Sequence, residues 1–185
     1  VADKGNGTYQ NPVLHADYSD PDVCAVGDDF YMTASSFNCI PGIPILHSGD
    51  LVNWSLVNYA LPVQEPKEFF DKAQHGKGVW APSIRFHNGE FYIYYGIYMI
   101  KTKDPKGKWS NPVLVKAGKG MIDATPLWDE DGKVYLIYAY AGSRSGVNSI
   151  LVISELNAEG TEVVSDPVMV FDGNDGKNHT VEGPK

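Results

Sequence analysis

Short runs of apolar residues, each interrupted by a turn, recur along the chain. Three stretches share one layout: an X-Pro opening, a short strand, a turn rich in Asp, Asn or Gly, and a second strand rich in aromatic and β-branched residues. These stretches cover residues 20–36, 81–95 and 125–139. Each pattern is typical of a β-hairpin. The proline stands at the first position of the strand, where its missing N–H does least harm.

A third strand is predicted after each hairpin, in the segments 45–54, 109–115 and 150–154. Three or four antiparallel strands per unit, repeated at a spacing of several tens of residues, favour a β-propeller. The chain is therefore predicted to be all-β, with blade units near 20–79, 80–121 and 122–180 and a fourth that begins at 181. A propeller closes only with at least four blades, so we expect a further segment or a second chain to supply the rest.

The composition agrees with an all-β chain and narrows the class of ligand. Glycine (19), proline (12) and tyrosine (11) are plentiful among the 185 residues, whereas long runs of good helix formers are missing. A net charge of -8 leaves no basic stripe for phosphates. It therefore argues against a nucleic-acid partner and fits a neutral ligand such as a sugar.

Neither a membrane span nor a disulfide framework is predicted. The longest apolar run, 91–100, is too short to cross a bilayer. Cys24 and Cys39 are predicted to be free thiols. Residues 1–7 lack the basic and apolar regions of a signal peptide, which leaves the location open. We expect a secreted or periplasmic protein rather than a cytoplasmic one.

Several motifs, weak singly but specific in their order and spacing, resemble those of glycoside hydrolase family 43. They occupy residues 11–14, 18–23, 48–54, 78–85, 122–127 and 181–184. The family consists of five-bladed propellers and includes β-xylosidases and α-L-arabinofuranosidases. The resemblance implies that this chain contains about three blades and the start of a fourth.

The resemblance also implies three acidic residues with separate roles: Asp20 as general base, Asp123 as pKa modulator and Glu182 as general acid. Because the innermost strands of a propeller begin beside its axis, acids from different blades can meet there. Glycoside hydrolysis needs one protonated carboxyl for the leaving oxygen and, in the inverting form, one carboxylate that activates water. An ionised Asp123 close to Glu182 would keep that acid protonated. Inversion is implied by the resemblance alone.

Two aromatic residues are candidates for binding the sugar. Trp80 matches a family position that walls the pocket, although a core position is the usual fate of a tryptophan. Phe37 matches a loop over the pocket, and simple packing would explain it equally well. The residues Asp20, Trp80, Asp123 and Glu182 shortly precede the aligned prolines at 21, 82, 126 and 184, which predicts one common level at the axis.

Other polar residues are predicted to be structural. Asp17 and Asp22 are expected in turns or on the surface, and Arg85 is expected to have a structural partner. The histidines at 47, 75 and 87 lack a ligand-like spacing, so no metal ligand is predicted. No cofactor is expected, although the resemblance leaves open a calcium ion in the channel.

The leading hypothesis is an exo-acting inverting hydrolase that removes xylose or arabinose from a plant polysaccharide or oligosaccharide. Two alternatives remain: a sugar-binding propeller without catalysis, and an inactive structural fragment of the hydrolase. A pair of carboxylates across a sugar ring favours the enzyme, because a lectin needs polar and aromatic groups but no such pair.

Overall fold

Three four-stranded antiparallel sheets account for the twelve strands of the computed structural model, which describes residues 1–72 and 74–176. The first sheet contains β1 (Asp22–Val26), β2 (Asp29–Thr33), β3 (Gly42–Ser48) and β4 (Ser55–Leu61). The second contains β5 (Ser83–His87), β6 (Glu90–Tyr95), β7 (Tyr98–Thr102) and β8 (Val113–Leu114). The third contains β9 (Met121–Trp128), β10 (Val134–Tyr140), β11 (Ile150–Leu156) and β12 (Val168–Asp172). The all-β prediction is confirmed.

Each sheet begins with one of the predicted hairpins. Gly27 (φ 61°) opens the two-residue turn between β1 and β2, and Asn88 (φ 48°) and Gly89 (φ 78°) form the turn between β5 and β6. Positive φ angles at these positions match the right-handed twist of the flanking strands. The loop between β9 and β10 is longer, and it is closed by a hydrogen bond from the N–H of Asp129 to the carbonyl of Lys133.

The third strands differ from two of the three predictions. Residues 49–54 form a turn instead of a strand, because the Asp50 carboxylate accepts hydrogen bonds from the N–H groups of Val52 and Asn53 at 2.9 and 2.7 Å. In the second sheet, Gly96 (φ 52°) makes a tight turn inside the apolar run 91–100. That run therefore supplies both β6 and β7, and the predicted segment 109–115 contains only the short fourth strand β8.

The sheets pack face to face through two apolar layers. Side chains alternate along β6, so Phe91, Ile93 and Tyr95 join the layer shared with the first sheet. Tyr92 and Tyr94 join the layer shared with the third sheet. This alternation follows from the two-residue period of a strand. The middle sheet is therefore buried on both faces.

The innermost strands β1, β5 and β9 are joined by polar side chains. Arg85 on β5 donates from Nη1 to Asp22 Oδ2 at 2.5 Å and from Nη2 to Thr125 Oγ1 at 2.9 Å. Asp22 Oδ2 also accepts the N–H of Ile84 at 2.8 Å. The predicted structural role of Arg85 is confirmed. The expectation of a turn or surface role for Asp22 is wrong: its side chain is 14% exposed, because β5 packs over it.

Outside the sheets, residues 1–72 and 74–176 contain two single-turn helices, α1 (Lys67–Phe70) and α2 (Gly142–Ser145). No helix in the described residues has the length and apolar character needed to span a bilayer. Cys24 and Cys39 are both free thiols, as predicted, and burial raises the pKa of Cys24 to about 12.

Replacing Arg85 by alanine is expected to destabilise the chain, because it leaves the Asp22 carboxylate without its cation. We expect a loss of about 2 kcal/mol, less than the roughly 3–5 kcal/mol for a fully buried pair, because the Arg85 side chain is 30% exposed. Denaturant unfolding measures the change. The control is Lys133→Ala, which breaks the exposed pair with Glu155 and should change stability by under about 0.5 kcal/mol. Equal losses in both variants would contradict the linking role of Arg85.

Candidate active site

The hairpin registers show which residues are equivalent in the three sheets. Asp22 pairs with Thr33, Ser83 with Tyr94 and Thr125 with Ile137, each at the same place in its hairpin. The residues two positions earlier are therefore equivalent as well. They are Asp20, Ala81 and Asp123.

These three equivalent residues share an uncommon backbone conformation. Their φ angles are 51° for Asp20, 41° for Ala81 and 54° for Asp123, in the left-handed region. Aspartate tolerates this region better than most residues, whereas an alanine there costs about 1–2 kcal/mol. Such strain persists only where the surrounding structure enforces it, and it clusters at functional sites. The repeated strain marks one level at the starts of β1, β5 and β9, which we call the strained level.

The proline alignment drawn from the sequence is wrong in the third unit. Pro126 lies inside β9 opposite Leu136, and Ala124 takes the place of Pro21 and Pro82. Pro126 therefore lies two residues further along its strand than Pro21 and Pro82 do. One extra residue in the turn between β9 and β10 offsets part of this shift, so the interval from the proline to the tyrosine after the turn is nearly the same in all three units. The equivalent of Asp20 in the second sheet is consequently Ala81, and Trp80 lies one residue before that level.

Asp20 is anchored by hydroxyl groups at the edge of the first sheet. Its Oδ2 atom accepts hydrogen bonds from Ser35 Oγ at 2.8 Å and from Ser19 Oγ at 3.1 Å. Ser35 Oγ in turn accepts the N–H of Ala81 at 2.8 Å. Ser35 is 7% exposed, whereas Asp20 itself is exposed to solvent. One buried hydroxyl therefore connects two of the strained positions, in adjacent sheets.

Sequence reasoning missed Ser35, although the sequence held a signal for it. The Gly27–Asp28 turn sets the register of the first hairpin, in which Asp22 faces Thr33. Continuing that antiparallel register by two residues brings Ser35 opposite Asp20. A serine directly opposite a candidate base is a candidate hydrogen-bond donor.

Residues 35–37 and 78–81 run side by side and form a link between the first two sheets, which we call the clasp. Ser36 and Val79 exchange backbone hydrogen bonds of 2.9 and 3.1 Å, and Gly78 donates its N–H to the Phe37 carbonyl at 2.7 Å. The clasp brings the rings of Phe37 and Trp80 together, with centroids 4.3 Å apart and planes inclined by 58°. The two candidate sugar-binding aromatics are thus in contact with each other.

The Trp80 ring is oriented but not covered. Its Nε1 donates to the carbonyl of Gly76 at 3.0 Å, and the residue is 50% exposed. An aromatic ring that is fixed in orientation and open on one side can stack against the CH groups of a sugar. The alternative of an ordinary core position for Trp80 does not fit this exposure.

Asp123 lies in a β-bulge of β9. Thr125 pairs with Ile137 and Ile122 with Ala139, so two residues of β9 face a single residue of β10. Bulges of this kind redirect side chains and are common beside active sites. The carbonyl of the next residue, Ala124, accepts a hydrogen bond from Ser83 Oγ at 2.7 Å, which ties the bulge to β5. Asp123 is half-buried.

The structure therefore brings some of the predicted site residues together. Phe37 contacts Trp80, Asp20 is joined to the clasp through Ser35, and Asp123 occupies the level of Asp20 on another inner strand. Glu182, the predicted acid, lies outside the described residues. Within 1–72 and 74–176, no three His, Cys, Asp or Glu side chains are grouped so that they could hold a metal ion.

The model of the family "Glycosyl hydrolases family 43" matches residues 9–185. The chain belongs to this family. A beta-xylosidase of Formosa agariphila is 34% identical over 92% of this chain and 31% of its own length. The non-reducing end alpha-L-arabinofuranosidase BoGH43B of Bacteroides ovatus is 36% identical over 70% of this chain and 26% of its own.

Solved structures of family 43 proteins have the same fold over this region. The GH43 protein BlXynB of Bacillus licheniformis superposes with a TM-score of 0.74 at 33% identity, covering 90% of this chain and 34% of that protein. The chain thus spans about a third of the length of the relatives that it matches.

A methyl group at residue 78 should disrupt the clasp. A Cβ atom there would lie 2.2 Å from the Ser36 carbonyl oxygen and 2.8 Å from that of Phe37. Gly78→Ala is therefore expected to lower stability by about 1–3 kcal/mol and to change the Trp80 fluorescence. Thermal unfolding and emission spectra measure both effects. Gly49→Ala is the matched control, because nothing lies within 4 Å of that position. Identical behaviour of the two variants would rule out a tight clasp.

Proposed function

We propose that this chain forms part of the catalytic domain of an inverting, exo-acting glycoside hydrolase that releases xylose or arabinose. The supporting observation is the strained level at which Asp20 and Asp123 occupy equivalent positions beside the Phe37–Trp80 pair. We propose further that the complete domain is a five-bladed propeller. Its blade units in this chain would be 20–79, 80–121 and 122–180, with a fourth beginning at 181.

In the proposed mechanism, Asp20 is the general base. Its exposed carboxylate accepts a proton from a water molecule as that water attacks the anomeric carbon. Glu182 donates a proton to the departing glycosidic oxygen from the opposite face of the ring. An inverting reaction needs these carboxyls about 6.5–9.5 Å apart, so that the water fits between base and sugar.

Asp123 is assigned to the acid rather than to the water. Its negative charge would disfavour ionisation of a neighbouring Glu182 and so keep the proton available for the leaving oxygen. Trp80 and Phe37 would hold the sugar by stacking and exclude water from one side. This mechanism assigns no residue of the chain to a metal or another cofactor.

Ser35 is proposed to be a positioning residue. Its hydroxyl donates to Asp20 Oδ2 and accepts the N–H of Ala81. The Oδ2 atom of Asp20 is therefore held at a fixed place relative to the clasp. A base that must orient water benefits from such support, because small displacements reduce the population of reactive geometries.

The proposed substrate is a neutral pentose unit at the end of an oligosaccharide or polysaccharide chain. The xylosidase and arabinofuranosidase names of the relatives support this class. The net charge of -8 is compatible with a neutral sugar. A secreted or periplasmic location, where polysaccharide fragments are met, is part of the proposal.

The acid–base assignment can be tested in the full-length protein with aryl β-xyloside and aryl α-L-arabinofuranoside. Asp20→Asn and Glu182→Gln should each lower turnover by about 10³-fold or more, because each removes one proton-transfer group. Asp17→Asn is the matched control, since it removes an exposed carboxylate three residues from Asp20. Turnover within threefold of wild type for Asp20→Asn would overturn the proposal, and nuclear magnetic resonance of the first-formed sugar anomer would decide between inversion and retention.

Ser35→Ala is expected to lower kcat about 10- to 100-fold with little change in KM, because the base remains but loses its support. The same substitution in the Asp20→Asn background should have no further effect on kcat, since there is no base left to position. Full additivity of the two losses would show that Ser35 acts independently of Asp20.

A further inference from the structure

A cavity of about 520 Å³ lies between the second and third sheets, next to the strained level. Trp80 forms part of its wall, and so does Ile122, the neighbour of Asp123. The exposed ring of Tyr98 adds a second aromatic surface. The cavity is thus continuous with the proposed sugar site, and neither Asp20 nor Asp123 lines it.

Two cationic residues, Lys119 and Arg144, line this cavity. Among the described residues, neither has an Asp or Glu oxygen within 4.0 Å. Among the described lysines and arginines, three do form such pairs, namely Arg85, Lys101 and Lys133; Lys119 and Arg144 differ from the other unpaired cations in lining one cavity together. In a chain with a net charge of -8, the cavity is therefore a local positive site within the part of the chain that the structure describes.

The segments that carry the two cations are held against each other. Ala141 donates its N–H to the Gly120 carbonyl at 2.7 Å. A Cβ atom on Gly120 would lie 2.9 Å from Ser145 Cβ, so only glycine allows this approach without a shift. Gly120 is buried and has a φ of 82°. Lys119 precedes Gly120 and Arg144 precedes Ser145, so each cation adjoins a residue of this contact. The two segments that carry the cations are therefore packed together.

The cavity also contains an acceptor that lacks a donor. Gln64 lines it, and the buried Oε1 atom of Gln64 accepts no hydrogen bond from any described residue. A buried acceptor without a donor is unfavourable, and native structures rarely leave one unsatisfied. Because this oxygen is closed to solvent, a ligand hydroxyl would reach it only after the Gln64 side chain turned toward the cavity.

We propose that this cavity binds a carboxylate-bearing sugar, a uronic acid, attached to the oligosaccharide whose terminal pentose is removed. Arg144 binds the carboxylate with its planar guanidinium and Lys119 adds a positive charge. Tyr98 contacts a face of the uronic acid ring, whereas Trp80 stacks on the neighbouring pentose. The inference rests on the proposed function for its substrate class and extends it to acidic, branched oligosaccharides.

The test compares xylotriose with xylotriose that carries one glucuronic acid substituent, using the full-length protein. Binding is measured by calorimetry and hydrolysis by sugar release. The acidic ligand should bind at least tenfold more tightly at low ionic strength, and this preference should fall as salt is added, because the attraction is partly screened. Equal affinities for the two ligands would overturn the inference.

The variant Lys119→Ala/Arg144→Ala should lower the ratio of the two affinities at least tenfold, and Arg144→Glu/Lys119→Glu should reverse the preference. The control is Lys106→Ala, an exposed lysine outside the cavity, which should leave the ratio unchanged. An unchanged ratio in the double variant would show that other residues read the charge and would overturn the assignment.

The two proposals fail in distinguishable ways. Hydrolysis of xylotriose without a preference for the acidic ligand would refute the cavity assignment and leave the hydrolase proposal intact. Tight, salt-sensitive binding of the acidic ligand without hydrolysis of either sugar, of aryl β-xyloside or of aryl α-L-arabinofuranoside would refute the hydrolase proposal and leave the binding site intact.

Discussion

The guanidinium of Arg85 is the interaction on which the rest of this structure depends. It joins β5 to Asp22 on β1 and to Thr125 on β9, so one side chain sets the relative positions of all three inner strands. A planar donor with several N–H groups can do this, whereas a lysine offers only a compact point charge. Because Asp22 and Thr125 each lie two residues beyond an acid of the candidate site, the placement of those acids follows from the same hydrogen bonds.

The strained level beside this network needs support from more than one sheet. Asp20 and Ala81 both have positive φ angles, and the Ser35 hydroxyl bonds to both of them. The clasp then fixes Phe37 and Trp80 at the same place. The polar support and the aromatic pair therefore arise from one short stretch of antiparallel pairing, which only a glycine at position 78 permits.

The sequence allowed the hairpins to be predicted, because a strand followed by a Gly-Asp or Asn-Gly turn is a local signal. It misled where two strands shared one apolar run, since the turn at Gly96 is marked by a single residue. It also misled at Pro126, because one extra turn residue in the third hairpin hid the fact that this proline lies further along its strand than Pro21 and Pro82 do. Counting from the prolines placed Trp80 at the level of Asp20, whereas backbone pairing assigns that level to Ala81.

The sequence by itself determined the all-β class and the repeated hairpins, and its motifs named Asp20, Asp123, Trp80 and Phe37 as candidates for the site. Each of these depends on residues close together in the chain or on motifs in a recognisable order. Only the tertiary structure decided that Arg85 joins three strands, that Ser35 bridges two sheets, and that Lys119 and Arg144 line one cavity. These are contacts between residues far apart in sequence, and they depend on how closely the backbones of adjacent sheets approach, which no local pattern encodes.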